Sequence, residues 1–237
     1  MSGDDAEYPA VLILAAIALL ALSNVMANRV IPSWAYVPWN IAVAGLLLLL
    51  ALRCAGTETV ALCLRRERLV SGARWGGAVA GMVIVAYLIG LALPSTRNLF
   101  RDRRIDPAGW PTVYTALISV PFGTVLLEEV AFRSVLPTLI GRGRPAHRGD
   151  IAASLLFGIW HVLPAWSIQR SNPVSSKLLG GGMPGRLVGV GLAVGGTTIA
   201  GLFFCWLRRR SDSLLAPALV HFTTNSVGYV LASLVRH

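Results

Sequence analysis

Charge is scarce in this chain: only 14% of its 237 residues are charged, and 11 of those are acidic. A soluble domain carries about 25% charged residues, so this share, with 55% hydrophobic residues, excludes an ordinary water-soluble protein. Lysine is nearly missing, since 20 of the 21 basic residues are arginine and only Lys177 is not; that bias fits a GC-rich bacterial genome. Cysteine is limited to Cys54, Cys63 and Cys205. Their odd number and spacing fit neither a disulfide framework nor a zinc pattern, so they are expected to be buried packing residues. No stretch alternates apolar and polar positions over about ten residues, which excludes a transmembrane β-barrel. Neither a GxSxG elbow nor an HExxH helix occurs. The acidic start MSGDDAEYP lacks the basic region of a secretory signal, so the first apolar segment is expected to stay as a membrane helix.

What is present is a series of seven apolar runs: 10–25, 36–52, 76–93, 113–127, 151–166, 187–207 and 214–234. Several fall short of the ~20 residues that cross a bilayer, but their flanks can extend them. They predict an all-α fold, a polytopic transmembrane bundle of about seven to eight helices in a single membrane domain. Residues 1–111 would supply N-terminal helices and basic loops as a packing layer, and residues 112–232 the functional core. The fourth run is expected to continue to Leu136, where Pro137 stops or kinks it. Residues 57–70 read as an amphipathic interfacial helix. Residues 167–186, with the run GGGMPGR, read as a flexible loop. Gly191 and Gly195 form a small-xxx-small pair suited to close helix approach. A formal net charge of +10 is spread over almost every short loop, which fits anionic lipid headgroups and not a nucleic acid. Alternate loops carry 11 and 9 basic residues with Arg133 set aside, so a cytoplasmic N-terminus is only marginally favoured.

Against this background four ionisable residues stand out. Glu128, Glu129, His161 and His221 lie inside the apolar runs, whereas the other nine acids and two histidines lie in loops or termini. A charge at membrane depth costs at least about 2.5 kcal/mol, so such groups face a protein interior and mark a site there. In EEVAFR, Glu129 and Arg133 share a helix face and can pair, while Glu128 is rotated about 100° away and is left available. In FGIWH, His161 is expected mid-helix with Phe157 one turn before it. In HFTTN, His221 and Asn225 are four apart and are expected to face one cavity. These are the parts of a hydrolytic site without a serine or cysteine nucleophile. Glu128 takes a proton from water, His161 orients that water, and His221 with Asn225 donates to a tetrahedral oxyanion.

The order EEVAFR, FGIWH and SLLAPALVHFTTN resembles the CPBP family, which joins type II CAAX prenyl endopeptidases, bacteriocin-processing and immunity proteins and related intramembrane proteases. The resemblance covers roughly 112–230. It implies an endopeptidase acting on membrane-associated peptides or proteins in the lipid bilayer, with Glu128 and His161 activating water. His221 and Asn225 would form the oxyanion hole, and Glu129 and Arg133 the supporting pair. Glu128, His161 and His221 are also a possible zinc-ligand trio with water in the fourth position. The prominence of Asn225, a poor zinc ligand, favours hydrolysis that needs no cofactor. The expected location is multi-pass in the bacterial cell membrane. Two other readings use the same residues: a non-catalytic scaffold or immunity protein, and a proton- or ion-coupled transporter. The transporter reading lacks the internal repeat and paired broken helices usual for alternating access.

Overall fold

The computed structural model describes residues 4–54, 63–102, 105, 109–167, 173–180 and 182–235. Among them the chain is 89% helical and has no strand. Seven main helices follow in order. Helix α1 is Asp4–Val25, extended by a π turn Met26–Val30, and α2 is Ser33–Leu49, extended by a π turn Leu50–Cys54. Helix α3 is Leu69–Ala92. Helix α4 runs continuously over Trp110–Gly141, α5 over Ala146–Trp160 and α6 over Gly182–Ser211. Helix α7 is built from Leu215–Phe222, a π turn Thr223–Val227 and Gly228–Leu234.

Five of the seven helices are long and apolar enough to cross a membrane: Ala10–Val30, Ser33–Arg53, Arg66–Ala92, Trp110–Gly141 and Gly182–Ser211. The other two runs form α5, 15 residues long, and the polar-interrupted α7. The outer faces are apolar: Leu14, Trp34, Met82, Leu192 and Ile199 are 63 to 77% exposed. The interior holds Glu128, Glu129, Arg133, Asp150, Arg208 and His221, all buried. That inversion of the soluble pattern suits lipid as the solvent, where polar groups must be satisfied internally.

Two clusters make the core. Ala16 and Leu20 of α1, Val43 and Leu47 of α2, Leu127 and Phe132 of α4 and Phe157 of α5 form the larger one. Phe204 and Leu207 of α6 and Ala216 and Val220 of α7, with Trp75 of α3, form the smaller. Helix α4 lies between them and carries the acidic pair to their seam. Glycines set the close approaches. A methyl on Gly76 would meet the Ala216 carbonyl oxygen at 2.8 Å, and one on Gly201 would meet the Ser154 Cβ at 3.1 Å. The pair Gly191 and Gly195, expected to serve this purpose, has no heavy atom of the described residues within 4 Å. It faces outward because α6 packs on α5 through its other side.

Some prolines inside the helices are matched by donors from neighbours. Proline lacks an N–H and strands the carbonyl it would have met. Helix α4 does not stop at Pro137; it continues to Gly141. Four residues before Pro137, the Arg133 carbonyl receives Nη1 of Arg208 at 2.6 Å instead. In the π stretch Thr115–Val125, where bonding runs from each residue to the fifth before it, Pro121 strands Ala116, whose carbonyl accepts from Ser226 Oγ at 2.8 Å. Ser211 Oγ donates at 3.1 Å to the Ser213 carbonyl, four before Pro217.

Three loop expectations need correction. Of residues 57–70, 57–62 lie outside the described residues. The remainder is a left-handed turn at Cys63 (φ 56°), extended backbone and a 3-10 turn Arg66–Arg68 leading into α3, not an amphipathic helix. Cys63 is half-buried with its thiol 3.9 Å from Asp212 Oδ1, whereas Cys205 is buried as expected; the side chain of Cys54 lies outside the described residues. Between 167 and 186, residues 168–172 and 181 are outside the described set, and the rest is largely helical, with a helix Pro173–Leu179 and the first turn of α6. Pro184 fits that turn, where no N–H is needed.

Candidate active site

Glu128 and Glu129 end the short α stretch Leu126–Glu129 of α4, between π stretches on either side. π turns are rare and often found at functional sites, because the extra residue re-aims side chains. Both carboxylates are buried, Glu128 at 5% exposure and Glu129 at 1%. Glu129 Oε1 lies 3.5 Å from Arg133 Nε, as the four-residue spacing requires. Arg133 is wholly buried, and its guanidinium nitrogens make no hydrogen bond among the described residues. Its charge is met by Glu129 and by two aromatic faces, Phe157 at 3.8 Å and Phe204 at 4.9 Å from the guanidinium carbon. Flat, weakly hydrated arginine suits such a slot better than lysine would.

His221 of α7 joins the two acids. Its Nδ1 is 2.7 Å from Glu129 Oε1 and its Nε2 is 3.5 Å from Glu128 Oε2. A carboxylate only accepts, so Nδ1 carries a proton in this contact. The two carboxylates, the guanidinium and this imidazole form one buried cluster. Glu128 is therefore not free, as the helix geometry suggested. Its Oε1 accepts the indole N–H of Trp160 at 2.9 Å, while Oε2 has no hydrogen bond among the described residues.

His161 is not mid-helix. It caps the C-terminus of α5, with Pro164 three residues on, and its ring meets Phe157 edge to face at 4.6 Å between centroids. Its Nδ1 is 2.8 Å from the Phe157 carbonyl. That carbonyl can only accept, so Nδ1 is the donor, and neutral His161 holds its lone pair on Nε2. His161 and Glu128 line one cavity of about 230 Å³ together with Asn28, Tyr36, Asn40, Thr124 and Trp160.

Asn225 is placed differently. It lines a second cavity of about 700 Å³ with Tyr87, Phe100, Val120, Thr224 and Tyr229, while His221 turns toward the glutamates. Among the described residues no three His, Cys, Asp or Glu side chains are arranged to hold a metal ion, and both ring nitrogens of His221 already face carboxylates. The trio Glu128, His161 and His221 is thus not set as a ligand group, and no step is derived through zinc.

Sequence reasoning missed Trp160, although it adjoins His161, and the polar wall of Asn28, Tyr36 and Asn40 from α1 and α2. The four prominent acids and histidines drew attention because they ionise; the neutral amides of Asn28, just past the first apolar run, and Asn40, in the second, carried a fainter form of the same signal.

No curated protein and no solved structure matches this chain. The sequence profile described as type II CAAX prenyl endopeptidase Rce1-like matches residues 108–227, just over half the chain, from before α4 to the π turn of α7. That stretch carries Glu128, Glu129, Arg133, Trp160, His161, His221 and Asn225 together. A helical bundle with membrane-length helices and these buried groups is an integral membrane protein, and the chain belongs to the Rce1-like family of type II CAAX prenyl endopeptidases.

Proposed function

We propose that the chain is an intramembrane endopeptidase in which Glu128 and His161 activate water against a peptide carbonyl. The observation that carries this reading is the shared cavity: Glu128, whose Oε2 makes no hydrogen bond among the described residues and lies 3.5 Å from His221 Nε2, and an imidazole whose lone pair is directed to Nε2 by the Phe157 carbonyl. Both groups are acceptors, as needed to orient a water and take its proton. Water oxygen attacks the carbonyl carbon and its proton passes to Glu128. The carbonyl becomes an oxyanion, then Glu128 returns the proton to the amide nitrogen as the C–N bond breaks, giving a carboxylic acid and an amine. Trp160 fixes the orientation of Glu128. His221, clamped by Glu129 and backed by Arg133, stabilises the carboxylate pair. Asn225, on the wall of the larger cavity, is the candidate oxyanion donor. The substrate is a membrane-associated peptide or protein.

The test is cleavage of a membrane-peptide library by purified protein in detergent, with wild type and Glu128→Gln, each with and without a zinc chelator. Cleavage by wild type that survives chelation and disappears in Glu128→Gln is expected. Cleavage by Glu128→Gln, or loss on chelation, contradicts this mechanism.

A further inference from the structure

The cavity in front of Glu128 and His161 is walled on one side by α1 and α2, which lie outside the family-matched stretch. Resting on the peptidase reading above, we infer that Asn40 and Asn28 form a subsite that binds one extended residue of the substrate backbone, Asn40 donating to its carbonyl oxygen and Asn28 accepting from its N–H. The hydrogen bonding of the two amides makes them complementary. The Trp39 indole N–H donates to Ser23 Oγ at 3.0 Å, which leaves the Ser23 hydroxyl proton for Asn40 Oδ1, 3.5 Å away. With its oxygen engaged, Asn40 has its NH₂ remaining, and that donor makes no hydrogen bond among the described residues. Asn40 is only 2% exposed and lines the cavity, so the little of its surface that stays accessible, at the unbonded NH₂, is surface of that cavity.

Asn28 is engaged the other way round. Its NH₂ donates to the Asn24 carbonyl at 2.8 Å and to Asn24 Oδ1 at 2.7 Å, and Asn24 in turn donates to the Trp160 carbonyl at 2.9 Å. Asn28 Oδ1 is what remains for the cavity mouth, where the residue is exposed. The wall is held firmly. The Tyr36 hydroxyl is 2.9 Å from Thr124 Oγ1, and its ring lies so close to Gly123 that a methyl there would come 2.6 Å from Cε1. One donor and one acceptor beside a water-activating pair match the C=O and N–H that one extended residue presents to the same side. A cavity of 230 Å³, against about 30 Å³ per water, has room for these two groups and the attacking water.

The test measures binding of fluorophore-labelled acetyl-trileucine amide to full-length Glu128→Gln protein in detergent. Adding Asn40→Leu is expected to weaken binding about five- to tenfold, the worth of one neutral hydrogen bond. Ser23→Ala, a smaller change that releases the amide orientation, is expected to weaken it in the same direction and decides the matter if Asn40→Leu does not fold. A probe with an ester at its central bond lacks the N–H; it should bind the parent more weakly than the amide, and Asn28→Ala should erase that difference. No saturable binding by the parent, or an unchanged Kd in folded Asn40→Leu, overturns the subsite. Asn40-dependent binding without hydrolysis by wild type would refute the peptidase reading and leave the subsite standing; hydrolysis with Asn40-independent binding would refute the subsite alone.

Discussion

Removing the Arg133 charge while keeping its bulk, Arg133→Met, leaves Glu129 buried beside Glu128 without its guanidinium partner. At the observed 3.5 Å separation, an effective dielectric of ~20 makes the Glu129 to Arg133 attraction worth about 5 kcal/mol before desolvation is counted. Breaking one partner of a buried pair costs about 3–5 kcal/mol, because the remaining charge stays desolvated. The contacts with Phe157 and Phe204 add up to ~2 kcal/mol at a desolvated site, though methionine packs against aromatic rings and recovers part of that. In a chain of this size such a loss lowers Tm by on the order of 10 °C. The decisive comparison is Arg133→Met with Glu129→Gln. The double variant no longer leaves a buried carboxylate at position 129 without its guanidinium, and should recover most of the loss. Unfolding followed by circular dichroism in detergent measures all three variants. A single variant within 2 °C of wild type, set against the ~10 °C expected, or a double variant less stable than Arg133→Met, refutes the charge pairing drawn for this cluster.

Three further outcomes are expected. Gly158→Ala should destabilise by about 1–3 kcal/mol or more, since its methyl would overlap Thr198 Oγ1 and come 2.8 Å from the Val194 carbonyl oxygen; outward-facing Gly191→Ala should be neutral or slightly stabilising by melting temperature. Arg208→Ala should cost less in a Pro137→Ala background, by about 1 kcal/mol, because residue 137 then supplies the N–H that Arg208 replaces at the Arg133 carbonyl; additive losses would count against that replacement. Trp160→Phe should lower kcat about tenfold with KM nearly constant, since its indole N–H holds the carboxylate and not the substrate; a rise in KM alone would assign it to binding.

The order of the three motifs and the burial of ionisable groups in apolar runs were enough to read an all-α membrane bundle and to single out Glu128, Glu129, Arg133, His161 and His221. The i, i+4 rule correctly paired Glu129 with Arg133. It did not foresee that His221 turns toward the glutamates while Asn225 lines the larger cavity, because the neighbours that surround each lie on other helices, distant in sequence. Pro137 looked like a helix stop because the cost of a missing N–H was charged locally. The donors that offset it, Arg208 and Cys205 on α6, are some 70 residues away in sequence. The end of α5 was more legible than its mid-helix assignment allowed, since Pro164 follows His161 at a distance typical of helix termini. The contribution of α1 and α2 to the cavity was hidden because asparagines in apolar runs are common enough as interhelical hydrogen bonders, and only the fold shows which of them reach Glu128.

The central claim is that Glu128 and His161 act together on one water. Its most direct test is the single-turnover rate of peptide hydrolysis by wild type, Glu128→Gln, His161→Gln and the double variant, each checked for an unchanged Tm. Each single change should slow hydrolysis by about 10²–10⁴, the range for a lost general base, and the double variant should be no slower than the worse single one. Either single variant retaining a rate within about tenfold of wild type, or losses that multiply in the double variant, would contradict it.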